Sequence, residues 1–213
     1  MTRDLFSLSE AEELGPGAVV LRAYAEASAT ALLSAVDSIT RQSPFRQMIT
    51  PGGQTMSVAM TNCGALGWVT DRKGYRYQAT DPLSGDPWPQ MPDAFAALAP
   101  AAAAAAGYRQ FSPDVCLINR YVPGTRLTLH QDKDEQDYSA PIVSVSLGLP
   151  AKFLFGGLSR NDRPRRIMLH HGDVVVWGGP SRLFYHGIDL LKPGEHPLTG
   201  ASRINLTFRK ASA

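Results

Sequence analysis

Three segments carry residues whose types and spacing can do chemistry. His130-Gln131-Asp132 closes a strand-like run. On a strand, residues i and i+2 point to the same side, so an imidazole nitrogen and a carboxylate oxygen can reach one ion. His186 ends another strand-like run, Leu183-Phe184-Tyr185-His186, and a neighbouring strand can bring it to the same point. Two histidines and one carboxylate on one face of an octahedral ion leave three positions open, the facial triad of non-haem Fe(II) centres. The alternative is that His130 and Asp132 are neighbours in a surface loop.

The third segment is Arg203-Ile204-Asn205-Leu206-Thr207-Phe208-Arg209. Period two puts Arg203, Asn205, Thr207 and Arg209 on one face and the three apolar residues on the other. The polar face can be a wet basic surface. If it is interior, two guanidiniums along it make a dicarboxylate clamp, since each forks onto a carboxylate. Asn119-Arg120-Tyr121 is similar, with an amide and a phenol on one face. A facial triad beside such a clamp implies an iron that chelates 2-oxoglutarate.

The elements that must position these residues follow from local pattern. Ala18–Arg22 reads as a strand. Residues 26–42 read as a helix with Leu32, Leu33, Val36 and Ile39 on one face, ended by Pro44. Residues 51–92 are punctuated by Gly and Pro and carry Trp68, Tyr75, Tyr77 and Trp88, a texture of hairpins and loops. A second helix is expected over 92–106, where Pro100 marks either a kink or a new start and Gly107 a C-cap. From 115 on, short β-rich runs at 115–121, 142–149, 152–155, 166–169, 174–177, 183–186 and 204–208 suggest an antiparallel sandwich or double-sheet barrel. Helices early and strands late make the fold class α+β.

Composition bounds the rest. The chain has 213 residues, 44% apolar and 19% charged, with a net charge of +2. That is one soluble domain of ordinary balance, not a disordered tail or a strongly basic polymer binder. Five histidines allow few metal sites. Cys63 and Cys116, the only cysteines, form no C-x-x-C pair and read as buried thiols. Residues 1–13 lack the apolar core of a signal peptide, and no run approaches the ~20 apolar residues of a membrane span. These features point to a cytoplasmic protein, with a monomer expected. His170 and His171 read as turn and strand-end residues, and His196 as solvated.

The chain resembles the AlkB family of bacterial Fe(II)/2-oxoglutarate dioxygenases. The likeness is carried by Asn119-Arg120-Tyr121, His130-Gln131-Asp132-Lys133-Asp134, Ser144-Val145-Ser146-Leu147-Gly148, residues 171–179, Tyr185-His186-Gly187-Ile188 and residues 203–209. It spans about 18–210, including residues 43–48 and 56–64. The resemblance implies a double-stranded β-helix (jelly-roll) core over about 110–210, a nucleotide-recognition lid over about 45–90, and a flexible segment at 1–17. It implies Fe(II) on His130, Asp132 and His186, and 2-oxoglutarate on Arg203 and Arg209 with Asn119, Tyr121 and Asn205.

The activity implied is oxidative dealkylation of bases such as 1-methyladenine and 3-methylcytosine. 2-Oxoglutarate and O2 are consumed, and succinate, CO2 and an aldehyde are released. Trp68 would stack on an extruded base opposite the His130 ring. Tyr75 and Tyr77 would belong to the lid, Asp134 would favour a cationic base, and Arg160 would sit at the pocket rim. Arg160, Arg163, Arg165 and Arg166, with Arg72, Lys73 and Arg76, suit a nucleic-acid surface. Single-stranded DNA is the expected partner, with RNA as a second polymer. The rival reading is an Fe(II)/2-oxoglutarate oxygenase acting on a protein or small molecule.

Overall fold

A computed structural model describes residues 11–212. The described residues include two α-helices. Ala29–Gln42 (α1), preceded by a 3-10 turn at Glu26–Ser28, buries Ala29, Leu32, Val36 and Ile39 at helical spacing. Asp93–Ala105 (α2) buries Phe95, Ala99, Ala102 and Ala103. Pro100 lies inside this single helix and starts no second one. Gly107, at φ +90°, closes it, and the Tyr108 N–H donates to the Ala103 carbonyl at 2.8 Å.

The strands are Ala11–Gly15 (β1), Ala18–Leu21 (β2), Arg46–Ile49 (β3), Thr55–Gly64 (β4), Gly67–Asp71 (β5), Gly74–Gln78 (β6), Val115–Tyr121 (β7), Leu127–His130 (β8), Ile142–Gly148 (β9), Ala151–Phe155 (β10), Arg165–Leu169 (β11), Val174–Trp177 (β12), His186–Ile188 (β13) and Arg203–Arg209 (β14). An eight-stranded sheet runs β1-β2-β12-β9-β14-β7-β4-β3, a four-stranded sheet runs β11-β10-β13-β8, and β5 with β6 forms a hairpin. All named pairs are antiparallel.

Side-chain parity divides the interior into two cores. Ile204, Leu206 and Phe208 of β14 join α1 and α2 on the outer face of the large sheet, where Phe208 meets Phe95 edge-on at 5.5 Å. Val20, Met60, Ile142, Val175 and Trp177 face the four-stranded sheet and pack on Phe153, Phe155, Ile167 and Ile188. This two-sheet antiparallel core is the jelly-roll arrangement. Every residue of β14 is buried, so its polar face is interior and not a wet basic surface. Truncating Leu32 or Phe208 to alanine would remove about 2–5 kcal/mol of stability.

Several sequence expectations need correction. Of the segment expected to be flexible, residues 1–10 lie outside the described residues. Ala11–Gly15 is a strand, because β2 supplies a register of backbone partners. The region 45–90 is not a separate lid throughout. Strand β4 buries Thr61, Asn62 and Cys63 against β7, so β3 and β4 belong to the large sheet; only β5–β6 stands apart. The strand expected at 183–186 starts at His186. The Phe184 N–H is engaged by the Ser181 carbonyl at 2.9 Å, as part of the turn that follows Gly179–Ser181. His196 is not solvated: its ring stacks on His171 at 4.4 Å, half-buried.

Candidate metal centre and substrate cavity

Strands β8 and β13 pair so that His130 lies directly opposite His186, with ring centroids 4.4 Å apart. Gly187 allows this approach, since a Cβ there would stand 2.5 Å from the Leu127 carbonyl oxygen. Asp132 lies two residues beyond His130. Its Oδ1 is 3.7 Å from His130 Nε2 and its Oδ2 is 3.6 Å from His186 Nε2. One ligand atom from each of the three residues falls within 4.8 Å of the others. The Gln131 amide donates to the Leu183 carbonyl at 2.7 Å, tying the triad loop to the chain leading into β13.

The ring orientations suit a metal. His130 Nδ1 lies 2.9 Å from the Thr128 carbonyl and His186 Nδ1 lies 3.0 Å from the Phe184 carbonyl. A carbonyl only accepts, so both Nδ1 atoms carry hydrogen and both Nε2 lone pairs face the centre. Burial pushes His186 down to about 4, reinforced by His130 and opposed by Asp132. Burial alone would raise the Asp132 carboxyl, but Arg209, His186 and His130 together hold it well below the usual carboxylate range. Neutral imidazole and ionised carboxylate are the forms that bind a metal.

The two arginines of β14 differ. Arg209 donates through Nε and Nη2 to Asp132 Oδ2 at 3.0 and 2.8 Å, and its Nε lies 3.4 Å from Glu135 Oε1. Only Nη1 is left without a partner. Arg203 is 1% exposed and donates through Nη2 to Ser146 Oγ at 2.9 Å. Its Nε and Nη1 have no partner, and it forms no ion pair among the described residues. The Tyr121 ring lies 5.0 Å from its guanidinium carbon. A buried, unpaired charge costs several kcal/mol, so this cradle fits an anion. Asn119 Oδ1 is also unpartnered. Asn205 instead spends its amide on Ser144 Oγ and the Val145 carbonyl at 2.8 and 2.9 Å, and its Oδ1 accepts from Thr207. Iron and a dicarboxylate therefore both fit the donors present.

A cavity of about 570 Å³ joins these groups to Trp68, Tyr75, Asp134 and Arg160 at its mouth. Trp68 donates through Nε1 to Asp134 Oδ2 at 2.8 Å and stacks on Tyr75 at 5.7 Å. Arg160 lies over the Tyr185 ring at 5.5 Å. Tyr77 departs from expectation and does not line the cavity. Its hydroxyl donates to Glu135 Oε1 at 2.6 Å; Tyr75 and Tyr77 share one face of β6, but Tyr77, paired with Trp68, lies over the buried Glu135 while Tyr75, nearer the hairpin turn, is exposed. The basic cluster also divides. Arg165 is tied to the Glu13 and Leu14 carbonyls and Arg76 to Asp71, so of residues 160–166 only Arg160 reaches the cavity.

Comparison with known proteins agrees with this geometry. The family profile of the 2OG-Fe(II) oxygenase superfamily matches residues 17–209. The chain belongs to the 2OG-Fe(II) oxygenase superfamily. Alpha-ketoglutarate-dependent dioxygenase AlkB of Salmonella typhimurium is 65% identical over 201 residues, covering 94% of this chain and 93% of the relative. The protein of that name from Escherichia coli is 62% identical over 210 residues, covering 98% and 97%. The solved structure of OsALKBH1 superposes with a TM-score of 0.83 at 30% identity, covering 94% of this chain and all of that one.

Sequence reasoning missed two residues in this oxygenase. Glu135 and Arg182 are 5% and 3% exposed and form an ion pair at 3.2 Å beside the triad. Glu135 follows Asp132-Lys133-Asp134 and reads as part of a solvated acidic run, while Arg182 sits in a turn 47 residues or so further on. The burial of each depends on the other, and neither carries a local signal.

Proposed function

We propose that this oxygenase oxidatively dealkylates N-alkylated bases such as 1-methyladenine and 3-methylcytosine in DNA, with RNA as a second polymer. We further propose that it prefers single strands and acts as a monomer in the cytoplasm. The observation that carries the reading is one cavity holding the His130-Asp132-His186 triad, the unpaired Arg203 and the Trp68–Asp134 pair. The relatives named as AlkB and as nucleic acid dioxygenases support the same substrate class.

Fe(II) with 2-oxoglutarate and O2 supplies oxidative decarboxylation to succinate and CO2 and oxidation of the N-alkyl carbon, from which a methyl adduct leaves as formaldehyde. His130, Asp132 and His186 hold the metal. Arg203, with Tyr121 and Asn119 beside it, takes the carboxylate at the buried end of the cavity. Arg209 offers Nη1 to the other carboxylate and keeps Asp132 ionised and oriented. Asn205 organises the floor through Ser144 and Thr207. At the mouth, Trp68 and the His130 ring offer faces for an extruded base, and Asp134 offers charge to a cationic ring. Tyr75 covers Trp68, and Arg160 meets phosphate at the rim.

Single strands suit this cavity because extruding an unpaired base costs less than breaking a pair. Cys63 and Cys116 face each other across β4 and β7 as free thiols, the state a reducing compartment maintains. Exposed large apolar side chains such as Leu83, Leu158 and Leu198 sit on separate loops, which suits a monomer. Among the described residues no helix is long and apolar enough to cross a membrane.

Succinate release tests the reading. With Fe(II), ascorbate and 2-oxoglutarate, a short single strand bearing 1-methyladenine should raise succinate output well above the rate without it. Equal output with an unmodified strand would favour the rival protein or small-molecule substrate.

A further inference from the structure

Behind the triad lies a closed set of four charged side chains. Asp132 and Glu135 provide the carboxylates and Arg182 and Arg209 the guanidiniums, with the four side chains between 1% and 7% exposed. Arg209 bridges the two carboxylates. Arg182 links the Glu135 carboxylate to the Asp132 backbone, pairing with Glu135 Oε2 at 3.2 Å and donating through Nη1 to the Asp132 backbone carbonyl at 2.8 Å. Its Nε is anchored on the Ala140 carbonyl. Glu135 lines no part of the cavity and so touches neither substrate nor cosubstrate there. Among the described residues its one side-chain hydrogen bond outside this set is with Tyr77, whose hydroxyl donates at 2.6 Å from the β5–β6 hairpin. The same hairpin carries Trp68 and Tyr75 to the mouth.

We propose that Glu135 is a positioning residue that couples the β5–β6 hairpin to the metal ligand Asp132, through Tyr77 on one side and Arg209 and Arg182 on the other. The coupling rests on the cosubstrate reading of Arg209 given above. When Asp132 holds a metal and Arg209 Nη1 meets a carboxylate, both bridging partners of Glu135 lose freedom. Glu135 is then fixed, and the Tyr77 hydroxyl is held in one place. Occupation of the deep site therefore steadies the base-stacking surface before any nucleic acid arrives. By reciprocity, holding the hairpin tightens the deep site by the same factor.

Hydrogen exchange of the amides of residues 67–78, measured with and without saturating Mn(II) and 2-oxoglutarate, reads the coupling directly. The wild-type protein should gain about tenfold protection on binding, within the usual range of coupling between sites. Tyr77→Phe should lose most of that gain and, by the same reciprocity, bind 2-oxoglutarate with Mn(II) up to about tenfold more weakly. Glu135→Gln should lose the gain and also bind 2-oxoglutarate at least about tenfold more weakly. A general loss of stability would lower protection in both states and cancel in the ratio. If Glu135→Gln fails to fold, Tyr77→Phe alone decides. No gain in the wild type, or a full gain in Tyr77→Phe, would overturn the proposal. The measurement contains no nucleic acid, so a failure of the dealkylase reading leaves its outcome intact.

Discussion

Replacing Arg203 with methionine removes a buried positive charge that has no counter-ion among the described residues. Burial pulls its pKa down, and Tyr121 offsets only part of that effect. The cosubstrate-free protein should therefore lose little. The contacts removed are one hydrogen bond to Ser146 and the face of Tyr121, so the apo Tm should fall by no more than about 4 °C, equivalent to ~1 kcal/mol for a chain of this size. Cosubstrate binding should respond very differently. At about 100 times its Kd, 2-oxoglutarate stabilises the wild-type fold by about 2.7 kcal/mol, or about 5–11 °C. Truncating one partner of a buried charge pair costs about 2–5 kcal/mol, and ~3 kcal/mol weakens Kd by about 150-fold. At the same concentration the variant would then gain about 0.3 kcal/mol, or about 1 °C. Thermal unfolding with Mn(II), with and without 2-oxoglutarate, measures all four states. A retained ligand shift would refute the assignment of Arg203. A large fall in the apo Tm would show that Arg203 has a structural partner.

Three further outcomes are expected. The folded pKa of His186, about 4, lies below the unfolded value of about 6.5. The unfolded metal-free chain binds that proton first, so stability is full above about 6.5 and falls toward about 4, by on the order of 3 kcal/mol. Urea midpoints across this range check it, and His186→Gln should flatten the curve. Asp134→Asn should lower repair of cationic 1-methyladenine more than repair of a neutral etheno adduct; equal losses in kcat/KM would contradict the charge argument. Arg160→Ala should reduce the slope of log affinity against log salt by about 0.7 for a single strand, the value of one phosphate contact, and an unchanged slope would place Arg160 away from the backbone.

Much of the site was legible because its signals are local. Alternation in residues 203–209 separates the helix-facing from the cavity-facing side chains, and β14 keeps that parity over its whole length. His130 and Asp132 share a face through simple i, i+2 spacing. His186 was legible by type, although the turn before it delays the strand. Trp68 and Tyr75 stood out as aromatics amid turn residues. What could not be read depends on distant partners. Tyr77 shares its face of β6 with Tyr75 and differs only in meeting Glu135, which arrives from a distant segment. Glu135 looks like a surface carboxylate until Arg182 and Arg209 arrive from elsewhere in the chain. Asn205 lines the cavity, but that Ser144 of the neighbouring strand holds its amide has no local signal. Strand β1, acidic and at the sheet edge, has no pattern of its own and forms because β2 pairs with it.

The central claim is most directly tested by the mass of the substrate strand. A short oligonucleotide with one 1-methyladenine is incubated with the protein, Fe(II), ascorbate and 2-oxoglutarate, and its intact mass is followed with succinate. The strand should lose one methylene for each succinate formed, yielding unmodified adenine, and His130→Ala should show neither change. Succinate without loss of the methylene, or repair that survives His130→Ala, would contradict the account.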